Sequence, residues 1–233
     1  MNTVTINKLA DLDFQGNEAY KTLRTNIQFC GSNIKVIGIT SCIPNEGKSS
    51  VILYLAQALA EADNKVLLID ADLRKSVFVG RFRIDTAIKG LTHYLSGLNT
   101  LEETTYKTNI DNLHMIFAGP VPPNPSELLG GQKFEEIVSQ LREQYDYILI
   151  DTPPLGSIID GAVVAGLCDG MMLVIEANNI SYKFAQKVKR QLEKTGCKIL
   201  GAVLNKVDIN KGGYYKYYGK GYGDYATVDL TRL

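Results

Sequence analysis

A short loop between an apolar run and a helical pattern constrains the fold of this chain more than any other feature. The apolar run is Val36–Thr40, the loop reads S-C-I-P-N-E-G-K-S-S over residues 41–50, and an apolar helix follows at once. Such a turn points successive backbone N–H groups at one spot, where the N-terminus of the helix adds its positive dipole end. The loop therefore predicts a phosphate site, with Lys48 reaching the outer phosphates of a nucleotide and the Ser49 hydroxyl binding Mg²⁺.

The loop departs from the usual pattern at one position. The pattern G-x-x-x-x-G-K-[ST] wants glycine where this chain has Cys42, although Asn45 enters left-handed backbone space at modest cost and Gly47 does so freely. A Gly-Lys-Ser triplet also arises in loops by chance, but its place between a buried strand and a helix favours the phosphate-binding interpretation. The loop residues expected to bind ATP are Pro44, Asn45, Glu46, Gly47, Lys48, Ser49 and Ser50.

Short apolar runs alternate with amphipathic stretches along most of the chain, which is typical of a sheet covered by helices on both faces. The predicted strands are Val36–Thr40, Val66–Asp70, Leu113–Phe117, Tyr147–Asp151, Met171–Glu176 and Ile199–Leu204. The predicted helices are Asn17–Phe29, Lys48–Glu61, Leu91–Ser96, Lys133–Gln144 and Tyr182–Lys194. We therefore expect an α/β fold, with a mostly parallel sheet flanked by helices, of the P-loop NTPase type that partitioning ATPases share. A chain of 233 residues with 45% hydrophobic content supplies one substantial core, which we assign to residues 1–209.

Three aspartates follow predicted strands. Asp70 and Asp72 lie in V-L-L-I-D-A-D, and Asp151 lies in Y-I-L-I-D-T-P-P. Because the carboxyl ends of the strands in an open α/β sheet share one edge, these groups should converge beside Lys48 and Ser49. Asp151 is expected to hold Mg²⁺ through water, while the D-x-D pair divides its work between the metal and the proton of an incoming hydroxyl. Aspartate is also a common turn residue, but three such carboxylates at one edge favour a catalytic arrangement.

The last 24 residues differ from the rest of the chain in composition. Segment 210–233 consists mainly of Gly, Tyr, Lys and Asp, which cannot build a core, so we predict a disordered, flexible tail. It holds six of the thirteen tyrosines, and a flexible tail can deliver their hydroxyls to a bound γ-phosphate. The alternatives are an aromatic RNA-binding tail, which the near-absence of arginine disfavours, and a sticky low-complexity tail. The predicted phosphorylation sites are Tyr214, Tyr215, Tyr217, Tyr218, Tyr222 and Tyr225.

The chain resembles the bacterial tyrosine kinases (BY-kinases) in five features. These are the phosphate loop, L-L-I-D-A-D-L-R-K, Y-I-L-I-D-T-P-P, G-P-V-P-P-N-P-S-E-L-L over residues 119–129, and the tyrosine tail. The resemblance covers most of the chain and implies a protein-tyrosine kinase that uses ATP and Mg²⁺ to phosphorylate its own tail. It implies that Asp70 is the general base, Asp72 and Asp151 are metal-site carboxylates, and Lys48 is the phosphate lysine. We expect phosphorylation in trans, because a short tail reaches a neighbour's site more easily than its own.

Within that family, the chain looks like the separate cytoplasmic kinases of Gram-positive capsule and exopolysaccharide systems. The resemblance implies a membrane-anchored adaptor of the polysaccharide co-polymerase type as activator, and a cognate phosphotyrosine phosphatase. It also implies a cytoplasmic location, peripheral at the inner face of the cell membrane. The N-terminal sequence MNTVTINKLADLDFQ lacks the apolar run of a signal peptide, and no segment is apolar enough to span a bilayer.

The family's oligomerisation motif, E-x-x-R-x-x-R, occurs here with lysine at its centre. Its residues are Glu18, Lys21 and Arg24, in the helix predicted over residues 17–29. Lysine keeps the charge but lacks the bidentate fork of arginine. We expect a homo-oligomer, for which the resemblance implies a ring, and the alternative is a solvated helix face with i, i+3 ion pairing.

Three other functions are compatible with parts of the pattern. A partitioning or site-selection ATPase carries a signature lysine in K-G-G-x-G-K-[ST], where this chain has Ile43. A GTPase is suggested by N-K-V-D over residues 205–208, but the D-x-x-G glycine expected after Asp151 is missing. Related ATPases place an asparagine near the adenine after this strand, so Asn205 is assigned to ATP binding. A non-catalytic regulatory subunit that binds nucleotide stays open as a third alternative.

Charge and cysteine content narrow the remaining options. Lys+Arg and Asp+Glu are equal at 25 each, so no basic field points to nucleic acid as a partner. The four cysteines are scattered, without a C-x-x-C pair or neighbouring histidines. We expect them to be reduced side chains of a cytoplasmic protein rather than metal ligands or disulfides.

Overall fold

The computed structural model describes residues 2–6, 12–84 and 87–207, and the strands within them form one sheet. These strands are β1 (Asn2–Thr3), β2 (Val36–Ser41), β3 (Val66–Asp70), β4 (Thr105–Lys107), β5 (Leu113–Ile116), β6 (Tyr147–Asp151), β7 (Gly170–Glu176) and β8 (Ile199–Asn205). Their order is β1-β4-β5-β3-β6-β2-β7-β8, and every pairing is parallel except that of β4 with β5. The predicted α/β fold with a mostly parallel sheet is confirmed.

Helices connect and cover these strands. They are α1 (Phe14–Phe29), α2 (Lys48–Ala60), α3 (Phe78–Arg81), α4 (Leu91–Leu95), α5 (Leu101–Thr104), α6 (Pro125–Leu129), α7 (Gln132–Arg142), α8 (Asp160–Ala165) and α9 (Tyr182–Glu193). Helix α1 begins three residues before the predicted start, because the Asp13 carboxylate caps it by accepting a hydrogen bond from the Gly16 N–H at 2.7 Å. The predicted strands agree with the observed ones to within one residue at each end.

The sequence patterns did not predict the shortest elements. Strands β1 and β4 have two and three residues, and helices α3, α5, α6 and α8 have four to six. Such segments are too short to display a clear hydrophobic period. They matter for the site, because α6 and α8 lie beside the strand ends that carry the aspartates.

Buried side chains on the two faces of the sheet hold the strands in place. Val66 and Leu68 of β3 belong to the cluster that includes α1, α2 and α3, whereas Leu67 and Ile69 belong to the cluster that includes α4 and α7. This alternation follows from the period of two in a strand. Burying one such side chain stabilises the fold by roughly 1.5–3 kcal/mol, so these layers fix the strand ends firmly.

Three further expectations from the sequence concern membrane-spanning helices, the cysteines and the tyrosine-rich segment. No helix among them is both long and apolar enough to cross a membrane. All four cysteines lie in the described part of the chain, and none forms a disulfide. The tyrosine-rich segment 210–233, with its six predicted phosphorylation sites, lies outside the described residues.

Candidate active site

The phosphate loop joins the end of β2 to the start of α2. Gly47 caps α2 with a φ of 88°, and Asn45 has a φ of 69°, so both adopt the left-handed conformation that the sequence expects of them. Cys42 has no positive φ and is fully buried, which explains why the loop forms without glycine at that position. Pro44 and Asn45 lie exposed on the outside of the loop.

Glu46 braces the loop from within. Its side chain is fully buried, and its Oε2 accepts hydrogen bonds from the N–H groups of Cys42 at 2.6 Å and Ile43 at 2.8 Å. Its Oε1 accepts another from the Glu176 N–H at 3.2 Å, at the end of β7. Glu46 was predicted to bind ATP. Because both of its carboxylate oxygens already accept backbone hydrogen bonds, its backbone N–H is the group that could contact a phosphate.

The chain after β6 packs against the loop's backbone. The Leu155 N–H donates to the Ser41 carbonyl at 2.9 Å, and the Thr40 hydroxyl donates to the Pro153 carbonyl at 2.9 Å. A Cβ atom at Gly156 would lie 2.1 Å from the Cys42 carbonyl oxygen, so only glycine fits there. The sequence analysis did not identify Gly156, and its signal, a glycine just beyond Asp-Thr-Pro-Pro, is weak without the structure.

Lys48, Ser49 and Asp151 form one hydrogen-bonded cluster. The Lys48 ammonium lies 2.7 Å from Asp151 Oδ1, and the Ser49 hydroxyl donates to Asp151 Oδ2 at 2.7 Å. Lys48 and Asp151 are buried, with side-chain exposures of 8% and 1%. Burial raises the pKa of Asp151, and the charge of Lys48 and the hydrogen bonds from Lys48 and Ser49 work against that rise.

Asp70 ends β3 directly beside Asp151, since the two residues are partners in the strand register. It is fully buried, and its Oδ2 accepts a hydrogen bond from the Ser76 hydroxyl at 2.5 Å. Burial, and then the neighbouring Asp151 carboxylate, raise the pKa of Asp70 to about 8. A carboxyl group with a pKa close to the working pH is suited to accept a proton, as a general base must.

Asp72 lies at the edge of this pair. It is 8% exposed, and its Oδ1 accepts a hydrogen bond from the Lys75 N–H at 2.9 Å. Burial is the main cause of the raised pKa values of Asp70 and Asp151, and the Asp72 charge adds to both. The structure thus brings together the three aspartates, Lys48 and Ser49, as the sequence predicts.

The donors at this edge fit Mg²⁺ by their chemistry. The hydroxyl of Ser49 and the carboxylates of Asp72 and Asp151 are hard oxygen ligands, and Mg²⁺ binds through one or two carboxylates, waters and substrate phosphates. Among the described residues, no group of three or more His, Cys, Asp or Glu side chains is arranged to hold a metal ion. A magnesium site here would therefore depend on the nucleotide's phosphates as ligands.

Arg74 links the D-x-D loop to α6 and α8, a connection that the sequence did not predict. Its Nε lies 2.7 Å from Asp160 Oδ2, and its Nη2 lies 3.1 Å from Asp160 Oδ1 and 3.0 Å from the Ser126 hydroxyl. Asp160 is fully buried; burial pushes its pKa upward, but hydrogen bonds from Arg74 and Ser126 hold the pKa below its ordinary value. Asp160 lies in S-I-I-D-G, where nothing in the sequence marks it as paired.

Two further residues predicted to bind ATP contact other parts of the chain. The Ser50 hydroxyl accepts a hydrogen bond from Arg81 Nη1 at 2.8 Å. Asn205, at the end of β8, donates from Nδ2 to the Glu46 carbonyl at 2.8 Å, and a Cβ atom at Gly47 would lie 2.1 Å from that nitrogen. Asn205 therefore lies directly against the phosphate loop.

The three residues of the predicted oligomerisation motif behave differently from one another. Lys21 pairs with Glu18 at 2.7 Å on the surface of α1, and the Lys21 side chain is 54% exposed. Arg24 instead turns towards α2, where its Nη1 donates to the Ala58 carbonyl at 2.8 Å. One arginine of the motif thus attaches α1 to the domain, while Glu18 and Lys21 remain at the surface.

Known proteins resemble this chain in sequence and in fold. The family model for the AAA domain matches residues 34–199. The tyrosine-protein kinase CpsD of Streptococcus agalactiae is 44% identical over 205 residues, covering 87% of this chain and 90% of its own length. The chimerical protein CapA2B2 has a TM-score of 0.81 at 31% identity, over 89% of this chain and 94% of that one. The kinase domain of Escherichia coli tyrosine kinase ETK has a TM-score of 0.77 at 31% identity, over 83% and 78%.

A septum protein is a more distant structural neighbour. The septum site-determining protein MinD from Pyrococcus horikoshii, solved with Mg-ADP, has a TM-score of 0.63 at 29% identity, over 73% of this chain and 69% of that one. This likeness supports the predicted P-loop NTPase fold. Its lower score and coverage place it further from this chain than the ETK kinase domain.

Proposed function

The chain belongs to the bacterial tyrosine kinases, and we propose that it transfers the γ-phosphoryl group of ATP to tyrosine hydroxyls of its own C-terminal segment. The observation that carries this proposal is the pairing of Asp70 with Asp151 at adjacent strand ends. One carboxylate is engaged by the phosphate-loop residues Lys48 and Ser49, and the other has a pKa of about 8 and is engaged by the Ser76 hydroxyl instead. This arrangement supports a phosphate site with a proton acceptor beside it.

Each residue of the cluster has a proposed role. Lys48 binds the outer phosphates, and Ser49, Asp72 and Asp151 hold Mg²⁺, whose charge neutralises the transferred phosphoryl group. Asp70 accepts the proton of the attacking tyrosine hydroxyl. The loop residues Pro44 to Ser50 and Asn205 surround the rest of the nucleotide, for which the relative solved with Mg-ADP gives support.

The phosphate acceptors in this proposal are Tyr214, Tyr215, Tyr217, Tyr218, Tyr222 and Tyr225. Their segment follows β8, the strand at one edge of the sheet. We propose transfer in trans within a homo-oligomer that uses Glu18 and Lys21 at the surface of α1. Each phosphate adds about −1.5 to −2 charges, so repeated transfer gives the segment a strongly acidic character.

The cellular setting extends the proposal beyond the site. We propose that the kinase acts in capsular or exopolysaccharide synthesis and export, peripheral to the cell membrane through an anchored adaptor. A phosphotyrosine phosphatase would reverse the reaction. The likeness to CpsD of Streptococcus agalactiae over 87% of this chain supports the kinase part of this setting.

Incubation of the purified chain with labelled ATP and Mg²⁺ tests the function, with and without the cytoplasmic segment of the adaptor. We expect phosphotyrosine on the C-terminal segment, and none in Lys48→Met. Replacing the six tail tyrosines by phenylalanine should abolish the label while ATP binding is preserved. An unlabelled wild-type chain in the presence of the adaptor segment would refute the kinase proposal.

A further inference from the structure

Two consecutive side chains, Asn205 at the end of β8 and Lys206 just after it, donate hydrogen bonds to the backbone of the phosphate loop. Asn205 Nδ2 donates to the Glu46 carbonyl at 2.8 Å, and Lys206 Nζ donates to the Asn45 carbonyl at 2.8 Å. These carbonyls belong to neighbouring residues of the loop, immediately before Gly47. The two contacts hold the stretch of backbone that must keep its shape for its N–H groups to point at a phosphate.

A carboxylate orients the lysine of this pair. Lys206 Nζ lies 3.1 Å from Glu176 Oε2, at the end of the neighbouring strand β7. The Glu176 N–H in turn donates to the buried carboxylate of Glu46, which holds the N–H groups of Cys42 and Ile43. Glu176 therefore connects Glu46, which holds the loop from within, to Lys206, which contacts the loop from outside.

The backbone at Lys206 is held in an unusual conformation. Its φ is 56°, in the left-handed region that residues with a Cβ atom seldom adopt. Such a conformation persists where surrounding contacts determine it, and here the side chain has two polar partners in two different elements. The conformation directs Lys206 back over the loop.

We propose that Lys206 is a positioning residue for nucleotide binding, which acts by fixing the Asn45–Glu46 backbone of the phosphate loop. The proposal deepens the proposed function, because the loop belongs to the same site. It also assigns a role to Lys206 that differs from base recognition in the N-K-x-D pattern. Once phosphates occupy the loop, they also hold its backbone, so the lysine contributes more to binding than to the transfer step.

The test compares Lys206→Met with a matched control, Lys189→Met. Lys189 also pairs with a glutamate at 3.1 Å, with 35% side-chain exposure against 47% for Lys206, but it lies on α9 and pairs within that helix with Glu193. We expect Lys206→Met to raise the Kd of a fluorescent ATP analogue roughly threefold to tenfold, by loss of one charge-assisted hydrogen bond. Lys189→Met should leave the Kd within about twofold.

Two further variants separate positioning from a general loss of structure. Lys206→Arg keeps the charge and a donor, so it should recover most of the affinity. Glu176→Gln removes the orienting charge only, and should raise the Kd by about twofold to threefold. In steady-state kinetics, the KM for ATP should rise in Lys206→Met while kcat stays within about twofold.

Pyrophosphate as a competitor separates action through the loop from contact with the base or ribose. If Lys206 fixes the loop, Lys206→Met weakens pyrophosphate and the ATP analogue by a similar factor. An effect on the ATP analogue alone overturns the proposal, as does an unchanged Kd or an equal effect of Lys189→Met. Binding needs no phosphoryl transfer, so a chain that binds ATP but forms no phosphotyrosine would refute the kinase function without affecting this test.

Discussion

The ends of strands β6 and β3 carry the same chemical group with two different sets of hydrogen-bond partners. Asp151, at the end of β6, is engaged by Lys48 and Ser49 at 2.7 Å each. Asp70, at the end of β3, is equally buried, but a serine hydroxyl and a backbone N–H are the hydrogen-bond donors found for it among the described residues. Both carboxyl groups are therefore buried, and they differ in the hydrogen-bond donors that surround them.

This difference in hydrogen-bond partners supports the complementary tasks proposed for the two carboxyl groups at neighbouring positions in one sheet. Burial raises the pKa of Asp151 as well, but the Lys48 ammonium and the hydrogen bonds from Lys48 and Ser49 oppose that rise and so favour the charged form, which can hold a cation. A carboxylate whose pKa is raised to about 8 exchanges its proton near the working pH.

Lys48→Met removes the cation on the β6 side. We expect kcat/KM for phosphotyrosine formation to fall by roughly a thousandfold, because the lysine stabilises developing phosphate charge. The free energy of unfolding should fall by about 3 kcal/mol, since Asp151 loses its buried partner. Lys89→Met is the control, because Lys89 pairs with Glu103 at 2.6 Å on the surface, and it should change neither quantity appreciably.

Asp70→Asn removes the proton acceptor on the β3 side. We expect kcat to fall by about a hundredfold or more while ATP binding persists. In the wild-type chain, transfer should increase as the pH rises through about 8, because the deprotonated form of Asp70 is the base. A pH-independent rate over that range, measured with saturating ATP, would contradict the assignment of Asp70 as the base.

The same variant should alter the pH dependence of stability. The pKa of Asp70 is higher in the folded chain than the ordinary 3.8, so the folded state retains its proton to higher pH than the unfolded state. This contribution to stability is complete at low pH and is lost as the pH rises through about 8. Asp70→Asn lacks that loss, so without nucleotide its melting temperature should rise relative to wild type between about pH 5 and pH 8.

Gly156→Ala acts on the β6 side through the loop's backbone. The new Cβ atom would lie 2.1 Å from the Cys42 carbonyl oxygen, so the phosphate loop must shift. We expect ATP affinity, measured by fluorescence titration, to fall by roughly tenfold to a hundredfold. Gly80→Ala is the control, because a Cβ atom there has no neighbour within 4 Å, and its ATP affinity should match the wild type.

Arg74→Lys weakens the contacts of Arg74 with Asp160 and Ser126, next to the D-x-D loop after β3, and has the smallest expected effect. Arg142 makes a similar bidentate pair with Asp169, with Nη1 and Nη2 at 3.0 and 2.8 Å from the carboxylate oxygens. The Asp169 carboxylate also accepts hydrogen bonds from the N–H groups of Lys35 and Val36, at the start of β2. Both Arg74→Lys and Arg142→Lys should cost about 1 kcal/mol of stability. Only Arg74→Lys should also lower kcat, by roughly threefold, and equal kcat in both variants would exclude a role for Arg74 in positioning Asp72.

Much of the fold was predictable because its longer elements have a clear hydrophobic period. The six predicted strands match to within a residue, and the convergence of Asp70, Asp72 and Asp151 followed from the rule that parallel strands end at one edge. The short elements α6 and α8 carry no such period. Their residues Ser126 and Asp160 became recognisable only as partners of Arg74.

The sequence by itself determined the phosphate loop, the acidic strand ends and the family, since these depend on residue types at fixed spacings along the chain. Only the tertiary structure decided which donors each of these groups meets. Asp70 and Asp151 are the same residue type in similar strands, and the separate roles proposed for them depend on the donors that other segments bring to them. The same holds for Glu46 and Lys206, whose contacts across the fold shape the loop. Hydrogen bonds and burial depend on distances between segments remote in the chain, which spacing along the sequence does not specify.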